Sequence, residues 1–310
     1  MGTGASTTEV IKDGGRFGPE IPHVGRVFYV DSGSLLPSDF APGRVLSTIA
    51  EALDRCVAYR GDVIYLAPNH AEAVASAAAI DIDVNGVSVI GMGRGSTMAT
   101  LTLGTATTAT VKISAANVML KNIRFTNNID SCVKLLDVSA DNAIIDGCEF
   151  VGSSTKEYLS GINIGTTYDN TWVRRCKFIQ PTDPGGTNGG ANTGAIYLVD
   201  SENVLIEDCE FRGCFETAFI HNRTTGAANL WVRRCYGQGS TLTNDSVPFV
   251  LATACSGGAD RCSLNNPNEA ATTEATLSGT FPAAFFNHQT YFGNDGGGGQ
   301  LAIASQSAAS

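Results

Sequence analysis

Five segments of this chain repeat one pattern, and that repetition constrains the fold more than any other feature. They are Asn117-Val-Met-Leu-Lys-Asn-Ile-Arg-Phe125, Asn142-Ala-Ile-Ile-Asp-Gly-Cys-Glu-Phe150, Asn170-Thr-Trp-Val-Arg-Arg-Cys-Lys-Phe178, Asn203-Val-Leu-Ile-Glu-Asp-Cys-Glu-Phe211 and Asn229-Leu-Trp-Val-Arg-Arg-Cys-Tyr236. Their leading asparagines lie 25, 28, 33 and 26 residues apart. A fixed period of roughly 20–50 residues marks a stack of equivalent units. Each unit holds short β-rich runs and no helical period, so the stack is a β-solenoid.

Counting each leading Asn as position 0, positions 1 and 3 are apolar or small: Val118 and Leu120, Ala143 and Ile145, Thr171 and Val173, Val204 and Ile206, Leu230 and Val232. Successive side chains on a strand point to opposite faces, so both positions face into the coil. Position 6 then contributes Cys148, Cys176, Cys209 and Cys235 to the core, and position 8 contributes Phe125, Phe150, Phe178 and Phe211. The thiols are packing atoms, because free cysteine behaves as a small hydrophobe. A second family of strands follows at Val111–Ile113, Val133–Leu135, Ile162–Ile164, Ile196–Leu198, Ala218–Ile220 and Phe249–Leu251, with Val87–Ile90 as an earlier coil. Upstream, Val45, Ile49, Ala52, Leu53 and Cys56 share one helical face, which predicts a helix over 43–59 capping the open end of the stack.

The charges of the repeat have a structural explanation. Position 4 reads Lys121, Asp146, Arg174, Glu207, Arg233, and position 7 reads Arg124, Glu149, Lys177, Glu210. Both series alternate in sign, and equivalent positions on neighbouring parallel strands are about 4.8 Å apart. Opposite charges there attract and like charges repel, so the alternation selects the register.

Position 2 is harder to explain by folding alone. It should point outward, yet it reads Met119, Ile144, Trp172, Leu205 and Trp231. Such a stripe predicts a covered contact, expected between the subunits of a homotrimer or under the aromatic C-terminal segment Phe281, Phe285, Phe286, Tyr291 and Phe292. The length-variable insertions fall after position 8, at 126–130, 151–160, 179–193, 212–216 and 237–247, and one-sided insertions of this kind often form a binding face. Their carboxylates, Asp130, Glu157, Asp183, Glu216 and Asp245, are isolated in sequence.

The remaining features narrow the function. Charged residues make up 16% of the chain and the net charge is −10, which argues against binding to nucleic acid or to anionic membranes. No apolar run reaches the roughly 18 residues of a membrane span, and the polar stretch 1–13 carries no apolar core for secretion. Synthesis in a host cytoplasm is therefore expected. The nine cysteines form no CxxC pair and the four histidines are widely spaced, so no metal or cofactor site is expected and surface or turn positions are expected for the histidines. Gly91-Met-Gly-Arg-Gly-Ser96 lacks the Lys-Ser/Thr of a phosphate loop and reads as a turn.

The repeat Asn-Val-x-Ile-x-x-Cys-x-Phe, with Gly61-Asp-Val-Ile-Tyr-Leu-Ala-Pro68 after the expected helix, resembles the pectin-lyase-like right-handed parallel β-helix superfamily over about residues 40–260. It looks most like β-helix repeat proteins of tailed bacteriophages. The resemblance implies an all-β right-handed parallel β-helix at 41–262, between an N-terminal arm and lead-in (1–40) and a C-terminal aromatic arm with a Gly/Ala/Ser-rich tail (263–310). Neither the calcium-binding aspartate cluster of pectate lyases nor the grouped aspartates of polygalacturonases is present, so no catalytic residue is assigned. The expected function is a non-enzymatic virion component, a capsid decoration, cement or head-fibre protein contacting the major capsid protein or other virion proteins. The alternatives are a tailspike-like module that binds or cleaves host glycans and a self-polymerising filament subunit.

Overall fold

The computed structural model describes residues 25–266 except 38, 154–155, 181–193, 214, 216, 223–225, 240–246 and 253, and beyond them the strands at 277–278, 285–288 and 291–294. The described strands form three parallel sheets of eleven, nine and eight strands, here A, B and C. Each strand pairs with its equivalents one coil away, so the chain winds A to B to C and repeats. Positions 2–4 lie in sheet A, as in Met119–Lys121, and positions 7–8 in sheet B, as in Glu149–Val151.

Two residues per coil turn the chain. The leading asparagines Asn117, Asn142, Asn170, Asn203 and Asn229 all have φ between 55° and 60°. Position 5, the corner between sheets A and B, is also left-handed: Asn122, Gly147, Arg175, Asp208 and Arg234 have φ between 50° and 64°. Asn and Gly tolerate this region at little cost, and arginine does not. The strain at Arg175 and Arg234 is offset by the ion pairs their side chains make, described below.

The core is built as the alternation predicts. Phe125, Phe150, Phe178 and Phe211 are buried and stack with centroids 4.9, 4.9 and 5.1 Å apart. Where position 8 becomes Gly237, Phe219 from sheet C continues the stack 5.5 Å from Phe211. A Cβ on Gly237 would lie 2.6 Å from the Phe219 ring, so glycine is required there. Cys148, Cys176, Cys209 and Cys235 are buried in a column that Cys262 extends. Burial pushes the Cys148 and Cys209 thiols well above their ordinary range.

Several sequence expectations change. The helix spans only Ile49–Leu53, not 43–59. The Thr48 hydroxyl accepts from the Glu51 amide and starts it there, while Val45–Leu46 pairs as a strand beside Val27–Val30. Ile49, Ala52 and Leu53 face the core, so the helical face was legible but its length was not. Val27–Val30 is fully buried in sheet A and pairs with Val63–Leu66, so the β-helix begins within the expected N-terminal lead-in. The sheet C strand expected at Val133–Leu135 is Leu136–Val138, in register with Val111–Ile113.

The largest change is at the C-terminal end. Instead of stopping at 262, the stack continues. Phe285–His288 pairs in parallel with Gly257–Asp260, and Tyr291–Asn294 pairs with Ser263–Asn266. Phe285, Phe286, Tyr291 and Phe292 are thus strand residues of a further coil, not an arm; Phe281 lies outside the described residues.

At the N-terminal end a buried carboxylate ties the first coil. Asp62 accepts from the amides of Arg26 (2.6 Å) and Val57 (2.8 Å) and from the Arg60 guanidinium (2.7 and 2.6 Å). Burial by itself would raise its pKa, but these four hydrogen bonds outweigh it and hold the carboxyl below the ordinary range.

Candidate functional site on the outer face of sheet A

Sheet A places the position-2 residues in one column. Met119 pairs with Ile144, Ile144 with Trp172, Trp172 with Leu205 and Leu205 with Trp231. The column extends to Ser88 at one end and to Gly258 and Phe286 at the other. Parity puts all five side chains outside the core, as the alternation requires. They do not stand free, however. Trp172 is 44% exposed, whereas Met119, Ile144, Leu205 and Trp231 are half-buried because neighbours 4.8 Å or so along the column shield one another. The area that a covering subunit would have to bury is smaller than five free apolar side chains suggest.

At Trp172 and Trp231 the column opens into a groove of about 190 Å³ lined by Trp172, Asn203, Val204, Leu205, Asn229, Trp231 and Arg233. Leu205 lies between the two indoles and forms its floor. Trp231 is held in place: its Nε1–H donates to Asn229 Oδ1 at 2.7 Å, and the Arg233 guanidinium lies 5.0 Å from its ring centroid. Asn229 Nδ2 in turn donates to Asn203 Oδ1 at 2.8 Å.

Beside this column runs the charge ladder, which is in register as the sign alternation requires: Lys121, Asp146, Arg174, Glu207 and Arg233 are consecutive partners. The contacts run both straight across the rungs and diagonally from position 5. Asp146 is 1% exposed and accepts from Arg175 Nε (2.8 Å) and Nη2 (2.5 Å), with Arg174 Nη2 at 3.4 Å and Lys121 Nζ at 3.9 Å. Glu207 takes its salt bridge from Arg234 (3.0 Å), which also pairs with Asp208. The Arg234 guanidinium beside Asp208 holds that carboxyl below the usual range. Position 5 supplies these arginines because its left-handed backbone directs the side chain towards the preceding coil. Sequence reading passed over Arg175, Asp208 and Arg234, although two arginines in a turn position otherwise held by Asn and Gly were a visible anomaly. On sheet B, Arg124–Glu149 (2.7 Å) and Lys177–Glu149 (3.8 Å) follow the ladder as expected, while Glu210 pairs with Arg212 in its own strand.

Two of the insertion carboxylates are among the described residues. Asp130 is exposed and accepts from the Ser131 amide, Glu157 is buried, and Asp183, Glu216 and Asp245 lie outside the described residues. Below the insertions, sheet C carries an outward row that sequence reading missed: Asp81, Lys112, Asp137, Asn163, Tyr197 and His221 are consecutive partners. The signal was the polar middle residue of Val-Lys-Ile, Leu-Asp-Val and Ile-Asn-Ile. Asp137 is already tied to Lys134 (2.8 Å) and to Asn163 Nδ2 (2.8 Å), and His221 is buried edge-on against Tyr197.

His70, for which a surface or turn position was expected, closes a turn, its amide donating to the Ala67 carbonyl at 3.1 Å, and its side chain is buried. Its Nδ1 accepts from the Ser32 amide at 3.2 Å, and its Nε2 lies 3.2 Å from Glu72. Gly91–Ser96 is a turn: Gly93 passes so close to the Thr97 carbonyl that a Cβ would sit 1.8 Å from it, and Asn122 Nδ2 donates to the Gly91 and Gly93 carbonyls. Among the described residues no group of three or more His, Cys, Asp or Glu is placed to hold a metal ion, and no helix is long and apolar enough to cross a membrane.

Comparison with known proteins agrees on architecture. Residues 107–256 match the family model described as a right handed beta helix region. Among solved structures, the chain is similar to a deglycosylated pectin methylesterase from Aspergillus niger, with 14% identity and a TM-score of 0.49 over 89% of this chain and 87% of that one. A rhamnogalacturonan lyase is similar over 79% of this chain and 75% of its own, with 13% identity and a TM-score of 0.45. A comparison with curated protein sequences finds no match. The chain is thus a right-handed parallel β-helix, a fold that hosts many unrelated functions.

Proposed function

We propose that this chain is a non-catalytic structural component of a tailed-bacteriophage virion, a capsid decoration or head-fibre protein whose contact surface is the outer face of sheet A. The observation that carries the contact surface is the continuous column Met119–Ile144–Trp172–Leu205–Trp231. The carboxylates beside it serve the fold: Asp146, Glu149, Glu207 and Asp208 are all in ion pairs that set register. The phage assignment rests on the likeness of the Asn-Val-x-Ile-x-x-Cys-x-Phe repeat to phage-encoded β-helix repeats. Assembly with two further copies and docking on the major capsid protein belong to the same proposal.

Two measurements test it. Mass spectrometry of purified virions should find the chain at a copy number that matches a capsid or fibre site; its absence from virions refutes the proposal. The purified full chain, incubated with host-derived polysaccharides, should release neither new reducing ends nor unsaturated products. Turnover proportional to protein concentration would make the chain an enzyme and overturn the non-catalytic part.

A further inference from the structure

We propose that the buried thiol column Cys148–Cys176–Cys209–Cys235–Cys262 is a site for soft divalent cations of linear coordination, each held by two neighbouring sulfurs. The site lies inside the coil, at the corner between sheets A and B, and is independent of the contact surface on the outside of sheet A.

The column is regular. Its five cysteines are free and at most 2% exposed. The backbone locks consecutive members one coil apart: the Lys177, Glu210, Tyr236 and Ser263 amides each donate at 2.9 Å to the carbonyl of the cysteine one coil earlier. The sulfurs also share one orientation. Each lies 3.3–3.8 Å from the carbonyl two residues before it and 3.5–3.9 Å from the position-3 carbonyl of the preceding coil. At the last step the Cys235 amide donates to Cys262 Sγ at 3.4 Å. Equal orientation on equally spaced strands puts successive sulfurs about 4.8 Å apart.

That spacing decides the chemistry. A disulfide needs Cβ atoms about 3.5–4.5 Å apart, so cysteines standing side by side at about 4.8 Å do not form one without distorting the sheet. A metal–thiolate bond is about 2.3 Å long, so an ion midway between two sulfurs needs them about 4.6 Å apart, close to the strand repeat. Among the described residues no three Cys, His, Asp or Glu converge on a point, so the column suits a linear ion and not a tetrahedral one. Sulfur ligands select soft ions. Charge selects the valence, because the column is part of the apolar core. A divalent ion breaks two S–H bonds, forms two S–metal bonds and sends both protons to solvent, so the core gains no net charge. A monovalent ion would leave one buried negative charge, which an apolar interior opposes. With two sulfurs to an ion, five thiols hold two ions.

The probe is mercuric acetate, added to the full chain a few degrees below its unfolding midpoint, where coils open locally and admit the ion. Native mass spectrometry counts the ions, each adding one mercury and removing two protons. Two double variants separate adjacency from thiol number, because each keeps three column thiols. Cys148→Ala with Cys262→Ala leaves Cys176, Cys209 and Cys235 as neighbours. Cys176→Ala with Cys235→Ala leaves Cys148, Cys209 and Cys262 about 9.6 Å apart, too far for one ion to bridge. Cysteines outside the column are common to all samples and cancel. The wild type should hold two more ions than the interrupted variant, and the end-trimmed variant one more. Loading should also raise Tm in the wild type and not in the interrupted variant, since a bridging ion ties two coils of the folded state. Circular dichroism checks that the ion-free variants fold, and Cys→Ser replacements serve if an alanine variant does not. Equal ion counts in the two double variants refute the inference, as does a wild type that holds no more ions than the interrupted variant.

Discussion

Replacing Asp146 by Asn tests the reasoning about the charge ladder at its most buried rung. The carboxylate is 1% exposed and receives two hydrogen bonds from Arg175, with Arg174 and Lys121 close by. Asparagine keeps the shape and removes the charge, leaving three cations facing a neutral group. Charge-assisted hydrogen bonds of this kind are worth about 1.5–3 kcal/mol. The side chains of Arg175 and Lys121 are 57% and 43% exposed, so water recovers part of what they lose and the estimate is discounted accordingly. A net loss of about 2 kcal/mol remains, which lowers Tm by about 4 °C at roughly 2 °C per kcal/mol for a chain of this size. The assay is thermal unfolding followed by circular dichroism in low salt and in about 1 M NaCl. Salt screens exposed pairs and reaches a buried carboxylate poorly, so the gap between variant and wild type should persist in high salt. A gap below about 1 °C, or one that salt abolishes, would show that Asp146 is an ordinary surface rung and refute the diagonal pairing with Arg175.

Other expected outcomes are independent of that one. Phe178→Ala removes a ring stacked between Phe150 and Phe211 in a fully buried column and should cost about 3–5 kcal/mol; a loss under about 1 kcal/mol by denaturant titration would contradict the packing. Asp62 and Asp208 are held below the ordinary carboxylate range, so their stabilisation is complete above an unfolded pKa of about 4 and is lost as pH falls through the folded values. Tm should therefore fall on acidification below about pH 4, and Asp62→Asn should show a shallower fall; equal slopes would remove Asp62 from the account. Burial pushes the thiols of Cys132 and Cys255 up to about 11 and that of Cys56 up to about 12, so these three should resist alkylation at neutral pH in the native chain and react once it is unfolded. Rapid native labelling of Cys148, Cys176 or Cys209, read by peptide mapping, would mean that the core column is open to solvent.

The architecture was written locally, and so it could be read locally. One pattern recurring every 25–33 residues marks a stack of equivalent coils, and alternation at positions 1, 3, 6 and 8 assigns the inward face because side chains on a strand alternate between its two faces. Those two facts were enough for the parallel stack, the Phe and Cys columns, and the outward stripe from Met119 to Trp231. They were not enough where pairing depends on the backbone alone. Gly257-Gly-Ala-Asp260 carries no inward alternation, yet it pairs in register with Leu230–Arg233 and then with Phe285–His288, because a growing sheet edge supplies unpaired N–H and C=O groups to whatever strand follows. Nor could sequence show which charges meet. The sign alternation at position 4 suggested partners directly across the ladder, and Asp146 does meet Lys121 and Arg174 there, but the left-handed corner also directs Arg175 to Asp146 and Arg234 to Glu207 and Asp208, and so leaves Arg233 beside Trp231. The groove follows from that displacement: side-chain direction at a positive-φ corner is a property of three-dimensional geometry, and no spacing along the chain encodes it.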